Sequence, residues 1–256
     1  MNFTQTVLLG SIAGFTIYLG LPIGRVKGIS EKTHSFLSMT SAGILLFLFF
    51  DVFSQLSEPI EETLTQRSFG EFSILLAVSV VGFGIGLLGL IAFEHSIIRR
   101  TAAQSLSPTR LALMIATGIG LHNFSEGLAI GQSSASGEIA FATILIIGFG
   151  LHNATEGFGI VGPLVGGDRP SWKFLGLAGL IGGGPTFLGT IVGYYFVSAF
   201  MSVLFLSLAA GALVYIIGEL FHANWRQATK FQAGWGLFAG FLIAYLTDFV
   251  LIAAGA

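Results

Sequence analysis

Eight times along this chain, a run of about 20 residues passes with hardly a charge, the length that crosses the hydrocarbon core of a bilayer. The runs read as 3–22, 34–56, 72–95, 110–132, 138–162, 173–197, 201–221 and 232–253. No other feature restricts the fold as strongly. In lipid, each backbone N–H and C=O must find a partner inside the protein, which a helix achieves alone and an open strand does not. A transmembrane barrel would alternate apolar and polar residues, whereas these runs are continuous. Charged residues make up 9% of the chain and mean hydropathy is +0.86, against roughly 25% charge in a soluble domain. The expectation is an all-α, polytopic membrane protein with eight transmembrane helices, forming one transmembrane domain over residues 1–256. The first run lacks a basic leader and a cleavage site, so it reads as a retained helix.

Lys and Arg set the orientation. Arg25, Lys27 and Lys32 fall in the first loop, Arg99, Arg100 and Arg110 in the third, Arg169 and Lys173 in the fifth, and Arg226 and Lys230 in the seventh. Of the 11 basic residues only Arg67 lies in an even loop. The odd loops are therefore cytoplasmic, and both termini face outside. Glu58, Glu61, Glu62, Glu71 and Glu138 then lie on the outer side.

Within this apolar chain one polar line is written twice. Residues 118–131 read GIGLHNFSEGLAIG and residues 148–161 read GFGLHNATEGFGIV, with identities that include His122/His152, Asn123/Asn153 and Glu126/Glu156. The copies sit mid-way along consecutive runs joined by a short loop, hence on antiparallel helices. A pseudo-two-fold axis in the membrane plane can relate such copies, and transporters place their sites near such axes. His at i and Glu at i+4 share a helix face. Two such faces offer two imidazoles and two carboxylates, a set suited to Zn²⁺ and also to Fe²⁺, Mn²⁺ or Cd²⁺. Two carboxylates balance one divalent charge. Asn123 and Asn153 add amide oxygens, and the glycine after each Glu allows close helix approach. The bland alternative is interhelical hydrogen bonding or His⁺–Glu ion pairing. The duplication favours function, since ionisable groups in a membrane are costly to keep.

At these residues the chain resembles the ZIP family of divalent metal transporters, whose fourth helix carries His-Asn-x-Pro-Glu-Gly. Here the two lines read HNFSEG and HNATEG. AAGALVYIIGEL (209–220) is similar to the family's seventh helix, SAGILLFLFFD (41–51) to its second and GGGPTFLG (182–189) to its sixth. The resemblance implies a metal-binding role for Glu219, alternating access, import toward the cytoplasm and pairing as a homodimer. Ser125 and Thr155 replace the family proline, and either can bond back to the i−4 carbonyl and bend a helix gently. The third loop, RRTAAQSLSPTR, lacks a histidine cluster. Both features imply a prokaryotic-type branch, located in the plasma membrane, or the inner membrane of a Gram-negative cell.

Other polar residues lie toward the span ends. Asp51 and Asp248 fall near the outer end and can form an electronegative mouth for cations. Glu219 and His222 share a face near the cytoplasmic end of the seventh run, while His34 and His95 suit interfacial solvation. The partners expected are divalent metal ions and the lipid bilayer. No basic patch suggests nucleic acid, and no Gly-x-x-x-x-Gly-Lys-Ser/Thr loop suggests ATP. The metal is expected as substrate, and no enzyme activity is expected. Two alternatives are an intramembrane metal-dependent hydrolase, against which stands the absence of His-Glu-x-x-His, and a proton channel using the same His and Glu residues. All four lysines lie at loops, which argues against a retinal pump. Zero cysteines exclude disulfides and thiolate ligands.

Overall fold

The computed structural model describes residues 2–28, 30–101, 107–137, 139–196, 198–225 and 230–254. Some helical side chains, among them His34, Arg99, Arg100, His152 and Asp248, lie outside the described residues, as do Glu138 and Arg226 entirely. The described residues form eight α-helices and no strand: α1 (Phe3–Phe15), α2 (Glu31–Thr65), α3 (Phe69–Thr101), α4 (Pro108–Ala135), α5 (Ile139–Val161), α6 (Trp172–Tyr195), α7 (Ala199–Trp225) and α8 (Lys230–Ala254). Two 3₁₀ turns, Thr16–Leu19 and Leu21–Arg25, extend α1. Ser30, Ser107 and Ser171 cap the starts of α2, α4 and α6, each accepting a backbone N–H three residues on. Such caps satisfy amides that a helix start leaves without intrahelical partners. The second helix runs past the expected residue 56 to Thr65, with Pro59 inside it.

Phe3–Arg25, Ser35–Thr65, Phe69–Ser96, Trp172–Tyr195 and Ala199–His222 are each long and apolar enough to cross a membrane. The fourth helix carries more polar side chains, and most of its residues are buried. A helix enclosed by other helices needs no apolar surface toward lipid, so its polar content is compatible with the centre of the bundle.

The duplicated line is one part of a larger symmetry. Gly14 of α1 and Gly183 of α6 cross so closely that a Cβ on either would lie 2.4 or 2.2 Å from the other's carbonyl oxygen. Gly20 packs on the Ala154 carbonyl and Gly189 on the Phe124 carbonyl. Gly43 of α2 meets Leu237 of α8, and Gly211 of α7 meets Phe83 of α3. Gly240 meets Thr40, and Gly86 meets Leu208. Each contact recurs with α1, α2 and α3 exchanged for α6, α7 and α8, and α4 for α5. The register of these contacts runs α2 parallel to α8, α3 to α7 and α4 to α6, but α1 antiparallel to α6. Helix direction therefore alternates along the chain, as eight successive crossings require, and both termini lie at one end of the bundle. The close crossings all need glycine because a methyl group would meet backbone that cannot move aside.

The glycines after the two glutamates do allow close helix approach, though to flanking helices rather than between α4 and α5. A Cβ on Gly127 would lie 2.2 Å from the Thr186 oxygen of α6, and one on Gly157 2.0 Å from the Ile17 oxygen after α1. Each seats its own helix on a flanking one.

Candidate metal site between α4 and α5

The turn between α4 and α5 is short. Ser136 ends α4, and Gly137 follows with φ of 82°, the left-handed conformation that commonly closes a helix. The chain then turns back, and the two copies of the line meet in the middle.

There the amides cross-connect the carboxylates. Asn123 Nδ2 donates to Glu156 Oε2 at 3.0 Å, and Asn153 Nδ2 donates to Glu126 Oε2 at 3.2 Å. Asn123 also donates to Asn153 Oδ1 and, at 3.0 Å, to the Gly182 carbonyl of α6. Asn153 also bonds back to the Phe149 carbonyl at 2.8 Å. Each asparagine thus holds the glutamate of the other helix, as a two-fold axis between antiparallel helices demands. Within α4, His122 Nε2 lies 3.4 Å from Glu126 Oε1. His122, Asn123, Asn153 and Glu156 are 0% exposed and Glu126 is 2% exposed.

Burying carboxylates without compensation is expensive. The compensation visible here is two amides and one imidazole, and no Lys or Arg among the described residues is buried. Glu156 and Asp51 also lie within electrostatic reach of His122. Asn123 Oδ1 accepts no hydrogen bond among the described residues, so an amide oxygen is left over beside the carboxylates. The arrangement is an acidic, oxygen- and nitrogen-rich cluster, with chemistry suited to a hard or borderline cation. Among the described residues, no three His, Asp or Glu gather closely enough to enclose an ion by themselves, and the asparagines stand between the two glutamates. Ser125 is buried and its hydroxyl makes no hydrogen bond among the described residues, so the expected back-bond to the preceding turn does not form there.

The remaining candidates separate into two groups. Asp51 is half-buried on α2 and accepts from Gln55 Nε2 at 2.8 Å. Asp248 is on α8, with its side chain outside the described residues. Glu219 lies on α7 within electrostatic reach of Glu94 and His222, and Tyr215 O–H donates to Glu94. His222 is exposed in the last turn of α7, and His95 is exposed on α3.

Sequence reasoning passed over Glu94, although a usable signal existed. Ser41-Ala42-Gly43 and Ala209-Ala210-Gly211 begin equivalent stretches of α2 and α7, which puts Asp51 and Glu219 in equivalent places. The matching contacts of Gly86 and Gly240 put Glu94 and Asp248 in equivalent places on α3 and α8.

Fold and site together define an α-helical, polytopic membrane protein with a buried acidic centre on an internal two-fold axis. The chain belongs to the ZIP zinc transporter family, whose sequence profile matches residues 94–248. It is a divalent metal transporter by that membership. The match covers α4 through to α8 at Asp248, and the internal symmetry relates the unmatched α1 and α2 to α6 and α7. A comparison with curated proteins gave no match.

Proposed function

We propose that the chain carries zinc toward the cytoplasm through a site formed by His122, Asn123, Glu126, His152, Asn153 and Glu156. The observation that supports this reading most is the pair of buried glutamates held crosswise by two asparagines, with no buried Lys or Arg among the described residues. A divalent ion would balance both carboxylates at once, and imidazole with carboxylate oxygen is a donor set that zinc accepts. Iron, manganese and cadmium would compete at such a site, and availability would contribute to the choice.

The bundle symmetry suggests how access alternates. An acidic residue stands on either side of the centre, Asp51 on α2 and Glu219 on α7, in equivalent positions of the two repeats. With the odd loops cytoplasmic, Asp51 and Asp248 serve the outer approach, and Glu219, Glu94 and His222 the inner one. Small displacements of α4 and α5 against α2, α3, α7 and α8 would expose the same centre first to one side, then to the other. The metal gradient, the membrane potential or a coupled ion would supply the driving force.

The test is zinc flux into proteoliposomes. Glu126→Ala and Glu156→Ala are each expected to abolish saturable flux while the purified protein keeps its helical signature. Undiminished flux in the double variant would refute the site. Proton flux without metal dependence, or cleavage of lipid or peptide, would replace the transport reading.

A further inference from the structure

The two halves of the molecule differ between α2 and α5, where one of them leaves a pocket. In one half of the molecule Phe124 of α4 and Phe205 of α7 stack, with ring centroids 4.3 Å apart. The equivalent positions in the other half are Ala154 of α5 and Leu37 of α2, fixed by the matching contacts of Gly20 with Ala154 and Gly189 with Phe124 and by the α2–α7 register. Where the rings fill one half, the smaller side chains leave about 490 Å³ open between the first span, α2, α5 and α8. Leu19, Phe36, Leu37, Phe158 and Ile243 line it together with Ala154.

In the other half the Phe124 and Phe205 rings occupy the equivalent space between α4 and α7. The walls of the pocket are overwhelmingly apolar, and an apolar cavity of this kind stays dry and takes apolar guests. Leu19 and Ile243, at its rim, are 72% and 45% exposed, so in a bilayer the pocket opens toward acyl chains. Its basic end is equally defined. Trp172 is 63% exposed and Arg25 lies 4.5 Å over its ring, two residues beyond the lining residue Ile23. A tryptophan so placed suits the headgroup level. Lys27 follows, and Lys32 sits one turn before the lining residue Phe36 on the same face of α2. Both lysines are exposed and neither makes an ion pair among the described residues.

We propose that this pocket holds one acyl chain of an anionic phospholipid, with its phosphate headgroup on Lys27 and Lys32. The guest lies between α5, which carries half of the central site, and α2 and α8. It therefore fills the seam that closes on the opposite side through Phe124 and Phe205. The inference depends on the membrane setting and the internal symmetry, not on which ion is carried.

Native mass spectrometry of the purified protein tests it, with phosphatidylglycerol and phosphatidylethanolamine titrated in equal amounts. One phosphatidylglycerol should remain bound under activation that strips the rest. Two lysines near a headgroup give a preference of about thirtyfold over phosphatidylethanolamine. Leu37→Phe/Ala154→Phe, which copies the closed half, should lose that last lipid. Lys27→Gln/Lys32→Gln changes only exposed side chains and should retain the fold while erasing the preference. The proposal is overturned if both lipids are retained equally by the unmodified chain, or if neither double variant changes retention. It is also overturned if the retained mass is a second copy of the chain that the filled variant releases.

Discussion

Replacing Asn123 by Ala tests whether the asparagines hold the site in shape. The Asn123 amide has two hydrogens and faces three acceptors: Asn153 Oδ1, Glu156 Oε2 and the Gly182 carbonyl. The last remains within helical backbone and loses least. A lost neutral bond between buried amides costs about 1 kcal/mol, and a lost bond to a buried carboxylate about 2 kcal/mol, so Asn123→Ala should cost about 3 kcal/mol. Asn153→Ala removes the bond to Glu126 and the same Asn–Asn bond, and should cost a similar amount. Because that Asn–Asn bond is lost only once, the double variant should be less destabilised than the sum of the singles by about 1 kcal/mol. The assay is unfolding of the purified protein in mixed micelles by a denaturing detergent, followed by far-ultraviolet circular dichroism. Strict additivity, or a single variant within about 0.5 kcal/mol of the unmodified chain, would refute the crosswise arrangement.

Gly127→Ala and Gly157→Ala would place methyl groups 2.2 and 2.0 Å from the carbonyl oxygens of Thr186 and Ile17; each should cost about 1–3 kcal/mol in the same assay, the usual penalty for overpacking. Equal stability would mean that those helices stand further apart. Single cysteines in this cysteine-free chain should report orientation: at Thr65 or Ser136 they should react with an impermeant reagent from outside, and at Asp168 only after permeabilisation, with the reverse pattern inverting the transport direction. Zinc affinity of the purified protein should weaken from about pH 8 to 5.5, because an imidazole must be neutral to donate to the metal and protons compete for it. A flat profile would remove His122 and His152 from the ligand set.

The helices were legible because each carries its evidence within itself. An apolar run of spanning length needs no knowledge of its neighbours, and the eight runs agree with the eight helices to within a few residues except at the ends of α1, α2 and α3. The first gives way to 3₁₀ turns at Thr16, and the other two extend beyond the membrane-length core into polar sequence, where hydropathy is silent. The polar cluster between α4 and α5 was legible for a different reason: its two halves are written alike, so Asn123 and Glu126 announce Asn153 and Glu156. What sequence could not supply was the direction in which each group points. Asn123 and Asn153 read as amide oxygens beside the glutamates, and nothing in the line itself says that their amide nitrogens bind the opposite helix's glutamates. That relation exists only once α4 and α5 face each other.

The wider symmetry was nearly invisible for the same reason. Packing of helices in lipid is governed by where small residues fall, and the remaining positions drift freely among Leu, Ile, Val and Phe. Between α2 and α7 the trace is little more than an alanine-glycine pair and an acidic residue; between α3 and α8 it is two glycines and the positions of Glu94 and Asp248. Those few residues are the ones that cannot drift. A methyl group at Gly43 or Gly211 would meet backbone of the neighbouring helix at 2.1 or 2.2 Å, and a carboxylate in a membrane persists where it has a partner or a task. Glu219 occupies the counterpart of Asp51, so on the proposed reading it serves one approach to the site as Asp51 serves the other. A single centre with equivalent approaches from both faces is what a carrier needs, and the two copies of one three-helix unit would provide them.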